Sequence, residues 1–228
     1  MLTAIIVAAG SSRRVGFDKL FEIIAGKPVI AHAIGAFENS QSVSDIVVIA
    51  REDRHSEISK LVRDQNWKKI RAIESGGEHR HDSVRAGLSY LGENARYVAV
   101  HDAARPLVTP ELIERVFQQS RAHGAAALAE PIIDTIKRAD VNLGVIGAVD
   151  RDRLYTMQTP QIFERKLLEQ AYHAVAEKKI PVTDEVSALE LIGAKVILVL
   201  ADDFNFKITY PRDLKLAEMV LQGRGPRG

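Results

Sequence analysis

The feature that most constrains this chain is a recurring alternation of short apolar runs with amphipathic segments of helical spacing. Ala4–Ala9 is an unbroken apolar run ended by Gly10, the pattern of a strand buried on both faces. Pro28–Phe37 then places Val29, Ile30, Ala33, Ile34 and Phe37 at helical spacing behind a first-turn proline. The same alternation predicts strands over Asp45–Ala50, Ile70–Ile73 and Tyr97–His101, with helices over His55–Gln65 and Asp82–Leu91. A further helix starts at Thr109-Pro110-Glu111, where a capping Thr, a proline and an acid at the positive dipole end stand in order. Alternation at this length predicts an α/β chain built on a largely parallel sheet covered on both faces.

The rhythm changes after Ala125. Residues 131–160 carry Ile132, Ile133, Ile136, Val145 and Ile146 around Asn142-Leu143-Gly144 without a sustained helical period, which predicts a β-arm projecting from the sheet. Helices resume over Glu164–Glu177 and Asp184–Ile192, the second closed by Gly193. A strand over Lys195–Leu200 and a helix over Pro211–Leu221 follow. The expected organisation is one domain over 1–221, with 131–160 as its arm and a disordered Gly/Arg tail over 222–228.

Composition removes several function classes. With no cysteine among 228 residues there is no disulfide framework, zinc–thiolate site, iron–sulfur cluster or cysteine nucleophile. Lys and Arg total 31 against 30 for Asp and Glu, so no global basic field exists to wrap nucleic acid, and anion binding must come from local placement. No apolar run approaches the ~18 residues of a membrane span. The expectation is a cytoplasmic protein with neither nucleic-acid nor membrane partners.

Three segments carry candidate chemistry. The first strand runs into Ala8-Ala9-Gly10, followed by Arg13, Arg14 and Lys19. Small residues at a strand's carboxyl end let a ligand approach the backbone, and free N–H groups with three cations suit a triphosphate. No Gly-Lys-Ser/Thr follows, so this is not a P-loop; a solvated surface turn is the competing reading. Gly76-Gly77-Glu78-His79-Arg80-His81-Asp82-Ser83 follows the third strand and suits either backbone contact with a base edge or a simple loop with a helix cap. His101-Asp102-Ala103-Ala104-Arg105-Pro106 puts an acid at a strand end, where it could bind Mg²⁺ with phosphate co-ligands or pair with an Arg. Thr135, Arg151, Thr159, Thr183-Asp184-Glu185 and Lys207 are scattered polar positions, each readable alone as structural.

Taken in order, these segments together with Asp134-Thr135, Asp150-Arg151 and Thr159-Pro160-Gln161 resemble the 2-C-methyl-D-erythritol 4-phosphate cytidylyltransferase family over nearly the whole chain. The resemblance implies a Rossmann-like, three-layer α/β fold and a homodimer formed through the β-arm. It implies transfer of CMP from CTP to methylerythritol 4-phosphate, with pyrophosphate release and Mg²⁺ as cofactor. It assigns cytidine to Ala8, Ala9, Gly10, Gly77, Glu78 and Ser83, and the triphosphate to Arg13 and Lys19. Asp102 would meet the metal and ribose. Arg105, Thr135, Arg151, Thr159, Thr183 and Lys207 would surround the acceptor phosphate, with Arg13, Lys19 and Lys207 the catalytic cations. Glu78 stands where many relatives carry Asp.

The chemistry agrees with what the chain lacks. A phosphate monoester is already anionic at neutral pH, so its oxygen needs no general base. The obstacle is one anion attacking another, which positioning and fixed cations address. A cytidylyltransferase for ribitol or ribulose 5-phosphate would share this core. A non-catalytic nucleotide-binding module would not need cations on both sides of the α-phosphate. A glycosyltransferase would call for an acidic pair on a strand-end loop, which Asp102 lacks.

Overall fold

The computed structural model of the chain describes residues 1–10 and 18–224. In chain order its elements are β1 (Leu2–Ala8), β2 (Ile23–Ile24), β3 (Lys27–Pro28), α1 (Val29–Asn39), β4 (Val43–Ala50), α2 (His55–Asp64), β5 (Ile70–Ser75) and α3 (Arg80–Leu88). Then come β6 (Tyr97–Asp102), α4 (Pro110–His123), β7 (Ala125–Pro131), β8 (Ile136–Ala139), β9 (Val145–Val149) and β10 (Tyr155–Glu164). The last are α5 (Arg165–Lys178), α6 (Glu185–Glu190), β11 (Ile197–Leu200) and α7 (Pro211–Gly223). Among the described residues, seven strands form one sheet in the order β11-β7-β10-β6-β1-β4-β5. Neighbours are parallel except β10, which runs antiparallel to both β6 and β7.

Period-two alternation splits the apolar side chains between two cores. From β1, Leu2, Ala4 and Ile6 pack on one face with α1 and α4, whose Ile30, Phe37, Ile113 and Val116 are buried there. Ile5 points to the other face, beside Val84 of α3 and Leu168 and Tyr172 of α5. Apolar side chains cover both faces of the sheet, so the predicted three-layer, mostly parallel α/β architecture is what the chain adopts. Thr109 caps α4 by accepting from the Leu112 N–H at 3.3 Å, and Gly124 ends it in the left-handed region at φ +85°. No helix of the described residues is long and apolar enough to cross a membrane.

Three segments differ in kind from the sequence expectation. The projecting hairpin is only β8 and β9, paired as a two-stranded sheet of their own. Residues 155–160, expected in the arm, belong to β10, which enters the main sheet and buries Gln158, Thr159, Gln161, Ile162 and Phe163. β7 was not foreseen: its Ala125–Ala129 run lies fully buried between β10 and β11. Residues 222–224, expected in the tail, belong to the end of α7. Arg224 donates to the carbonyls of Leu107 (2.7 Å) and Phe204 (3.0 Å) and to Asp203 Oδ2 (2.7 Å), which fixes residues 222–224 at the end of α7; the remainder of the expected tail lies outside the described residues.

Candidate active site

Parallel pairing brings the carboxyl ends of β1, β4, β5 and β6 to one edge, where Ala8 is level with Ala50 and Val7 with Asp102. The loop after β5 folds down against this edge. A Cβ on Gly76 would sit 2.5 Å from Ala9 Cβ and 2.5 Å from Ser83 Oγ, and one on Gly77 would sit 2.3 Å from Asp82 Cβ. The paired glycines are therefore required by close packing between the end of β1 and the start of α3. That start lies two residues earlier than the sequence predicts. His79 is the cap position, and its N–H donates to Asp82 Oδ2 at 3.3 Å. Ala8 and Ser83 are buried in this junction, while Gly10, Gly77 and Glu78 are exposed beside it.

Asp102 is the hub of the edge. Its Oδ2 accepts from Lys207 Nζ at 2.7 Å and its Oδ1 from Arg80 Nε at 3.0 Å. Burial alone would raise its pKa, but Arg80 and Lys207 outweigh that and hold the carboxyl well below the usual range. Arg80 then reaches the opposite way. Its Nη1 and Nη2 grip Glu185 Oε1 and Oε2 at 2.7 and 3.0 Å, a bidentate pair whose carboxylate is fully buried. The Tyr172 hydroxyl donates to the same Oε1 at 3.0 Å. Burial pushes the Arg80 pKa down, and the two carboxylates more than restore it.

Sequence reasoning assigned no role to Arg80, Glu185 or Tyr172. With the helix expected from Asp82, Arg80 reads as a loop cation; the observed start puts it in the first turn, where a cation opposes the helix dipole and calls for an acid close by. That acid is 105 positions later, at the start of α6.

The remaining expected residues fall into three groups. Lys19 and Lys207 converge: Lys19 Nζ donates at 2.6 Å to the carbonyl of Ile208, next in the chain after Lys207. Arg105, Thr159, Thr183 and Lys207 line, with Asp102 and Arg80, one cleft of about 360 Å³. The terminal nitrogens of Arg105 are held by the carbonyls of Asn205 (2.8 Å) and Met157 (3.3 Å), and among the described residues no carboxylate contacts it directly. The Thr159 hydroxyl is engaged inward, accepting from the Asp102 N–H at 3.1 Å and lying 3.0 Å from His101 Nδ1. Thr183 Oγ1 lies 3.1 Å from Ser187 Oγ, while Asp184 caps α6 through the Ser187 N–H at 3.0 Å. Gln161 ties β10 to that cap, donating to Asp184 Oδ2 at 2.9 Å.

The third group lies apart. Thr135 and Arg151 are exposed at the foot of the β8–β9 hairpin and do not line the cleft of their own chain. Arg151 Nη1 donates to the Ile133 carbonyl. Arg13 and Arg14 lie outside the described residues.

The arrangement is a cleft that gathers Arg80, Arg105 and Lys207 around Asp102 at the carboxyl edge of a parallel sheet, next to a glycine-rich backbone turn. That combination suits a polyphosphate and a second phosphate brought together.

Comparison with known proteins gives a consistent result. A family model described as 2-C-methyl-D-erythritol 4-phosphate cytidylyltransferase matches residues 2–223. A protein of that name from Dehalococcoides mccartyi strain CBDB1 is 40% identical over 220 residues, covering 96% of this chain and 95% of its own. One from Caldanaerobacter subterraneus subsp. tengcongensis is 38% identical, covering 97% and 99%. The crystal structure of a 4-diphosphocytidyl-2C-methyl-D-erythritol synthase from Anaerococcus prevotii superposes with a TM-score of 0.84 at 28% identity, over 97% of this chain and 98% of that one.

Proposed function

Because the chain belongs to the 2-C-methyl-D-erythritol 4-phosphate cytidylyltransferase family, we propose that the cleft around Asp102 transfers CMP from CTP to 2-C-methyl-D-erythritol 4-phosphate and releases pyrophosphate. The observation that carries this reading is the convergence of Lys19, Lys207, Arg80 and Asp102 at one strand edge. A phosphate oxygen of the acceptor attacks the α-phosphorus of CTP, the new P–O bond forms, and the bond to the pyrophosphate breaks. No proton has to leave the nucleophile. The cations act by lowering the repulsion between the two anions and by stabilising charge on the leaving group. Lys19 serves the triphosphate side and Lys207 the α-phosphate, while Arg105 supplies charge toward the acceptor. The Ala8–Gly10 edge and the Gly77–Ser83 loop receive the cytidine.

Mg²⁺ is part of the reading. Among the described residues no group of three or more His, Asp or Glu gathers as a metal cage. Asp102 fits instead as the single protein ligand, an ionised hard oxygen at the cleft, with substrate phosphates completing the set. Lys207 would give up Oδ2 to such an ion. Bound there, Mg²⁺ would neutralise phosphate charge; the orientation of Asp102 is the work of Arg80.

We also read the protein as a homodimer through the hairpin. Ile133, Val141, Leu143, Val145 and Ile146 are all exposed on or beside it, with Val141 97% open. An isolated two-stranded hairpin with such a surface needs cover. Use of CTP fits work in the cytoplasm. The experiment is pyrophosphate release from CTP across a panel of alditol phosphates. Release only with methylerythritol 4-phosphate is expected; preference for ribitol 5-phosphate would overturn the acceptor, and no release at all would overturn the reaction.

A further inference from the structure

We propose that His101 is a positioning residue for this reaction: its imidazole, carrying its proton on Nε2, locks Thr159, the Asp102 backbone and the Arg105 turn into one register. The inference rests on the transfer reaction proposed above.

The geometry defines the direction of each bond. His101 Nε2 lies 3.2 Å from the Arg105 carbonyl, which can only accept, so Nε2 carries the proton and donates. In the uncharged ring Nδ1 is then bare and can only accept. Thr159 Oγ1 lies 3.0 Å from it, so the hydroxyl donates to the ring. That leaves the Thr159 oxygen to accept from the Asp102 N–H at 3.1 Å. The chain runs Asp102 N–H to Thr159, Thr159 O–H to Nδ1, Nε2–H to the Arg105 carbonyl, with one place for every proton.

The ring replaces a missing stretch of sheet. β10 pairs with β6 from Glu164–Tyr97 to Gln161–Val100, and the ladder stops there. His101 and Asp102 therefore lie beyond the pairing with β10, while β1 still pairs with both on the other side. The side chains of Thr159 and His101 take over. His101 is fully buried and packs on Phe37, with ring centroids 5.0 Å apart. A ring sealed from water, whose hydrogen-bond partners are a carbonyl and a hydroxyl and not a carboxylate, is uncharged.

Two substitutions separate the two bonds. His101→Asn keeps an acceptor near Nδ1 and loses the link to Arg105. His101→Gln reaches the Arg105 carbonyl with its amide and loses the link to Thr159. In either, kcat is expected to fall roughly 10–100-fold, as when partners that orient a ligand are removed, while KM for CTP stays within about twofold. Thr159→Val should add less to His101→Gln than to His101→Asn, because the Thr159–imidazole bond is already lost in the former, while loss of the acceptor for the Asp102 N–H adds equally to both. An independent readout is the ¹⁵N spectrum of the wild-type imidazole, which should show Nε2 protonated and Nδ1 bare. A Nδ1–H ring, or folded variants with wild-type kcat, would overturn the proposal. Wild-type turnover tests the underlying reaction separately, and the spectrum reads the bond directions even in a protein whose variants do not fold.

Discussion

Lys207 Nζ lies 2.7 Å from Asp102 Oδ2, an ion pair between residues 105 positions apart in the chain. The lysine side chain keeps 41% of its surface while the carboxylate keeps 11%. The pair therefore has a fixed anion and a cation that can swing toward incoming phosphate. Lys19 is anchored on the carbonyl of Ile208, the next residue of the same segment.

Loss of either lysine should cost catalysis more than folding. Lys207→Ala is expected to lower kcat by roughly 10²–10³, the scale for removing one preorganised charge partner of a transition state. Lys19→Ala should lower kcat similarly and raise KM for CTP more than Lys207→Ala does, because the proposed reading puts Lys19 on the triphosphate side. Steady-state kinetics with CTP varied decide this. A Lys207→Ala enzyme with near-normal kcat would return that residue to the polar face of its segment.

The Arg80–Glu185 pair predicts an asymmetric stability response. Glu185→Ala removes the partner of a largely buried guanidinium, and breaking such a pair costs about 3–5 kcal/mol. Arg80 retains 23% exposure, which places the expected loss at the lower end. Replacing both, as Arg80→Met with Glu185→Leu, should recover much of that stability, because neither charge is left stranded. Urea unfolding midpoints measure both. The double variant should still be inactive, since Asp102 has lost its Oδ1 donor.

Much of this architecture was legible in the sequence, and the parts that were not share a physical reason. β1, β4 and β6 announce themselves because strands buried on both faces must be apolar throughout. α4 is announced by its Thr-Pro-Glu start and Gly124 end. β7 is an alanine run, weak in β-propensity, whose strand form is imposed by its neighbours β10 and β11. β10 hides for a different cause: Gln158, Thr159 and Gln161 are buried polar residues with their partners elsewhere, so its site end reads as loop. Of the cations singled out by type and position, Arg105 and Lys207 line one cleft. Arg80 was not singled out, because a lone Arg in a glycine-rich loop reads as solvated until Asp102 and Glu185 are brought beside it.

Acid should destabilise the protein through His101. Its pKa drops from 6.5 to about 4 on folding, so the unfolded chain binds a proton that the folded chain refuses. Stability from this group is full above pH 6.5 and is lost as pH falls toward 4. The loss by pH 4 is about 3 kcal/mol, from the free-energy equivalent of the shift. His32, whose pKa is also lowered by burial, adds in the same direction. Unfolding free energies measured at pH 7.5 and 4.5 should therefore differ, and His101→Asn should flatten that slope. An unchanged slope in a folded variant would mean that other groups set the acid sensitivity.

The hairpin makes the most demanding prediction. Thr135 and Arg151 are exposed at its foot and do not line the cleft of their own chain, although the family pattern assigns both to the acceptor phosphate. A twofold dimer resolves this if each hairpin reaches across and lends both residues to the partner's cleft. Lys19→Ala disables the cleft of its own chain, and Arg151→Ala disables the cleft of its partner, so each homodimer should be nearly inactive. Co-refolded in equal amounts, about half of the dimers should be mixed. In a mixed dimer one cleft carries both lesions and the other carries neither, so roughly a quarter of all sites should regain activity. Subunit exchange can be followed with two tags while pyrophosphate release is measured. If mixed dimers form and activity stays at the level of the parents, Arg151 acts within its own chain, and the hairpin is a dimer contact without a part in the site.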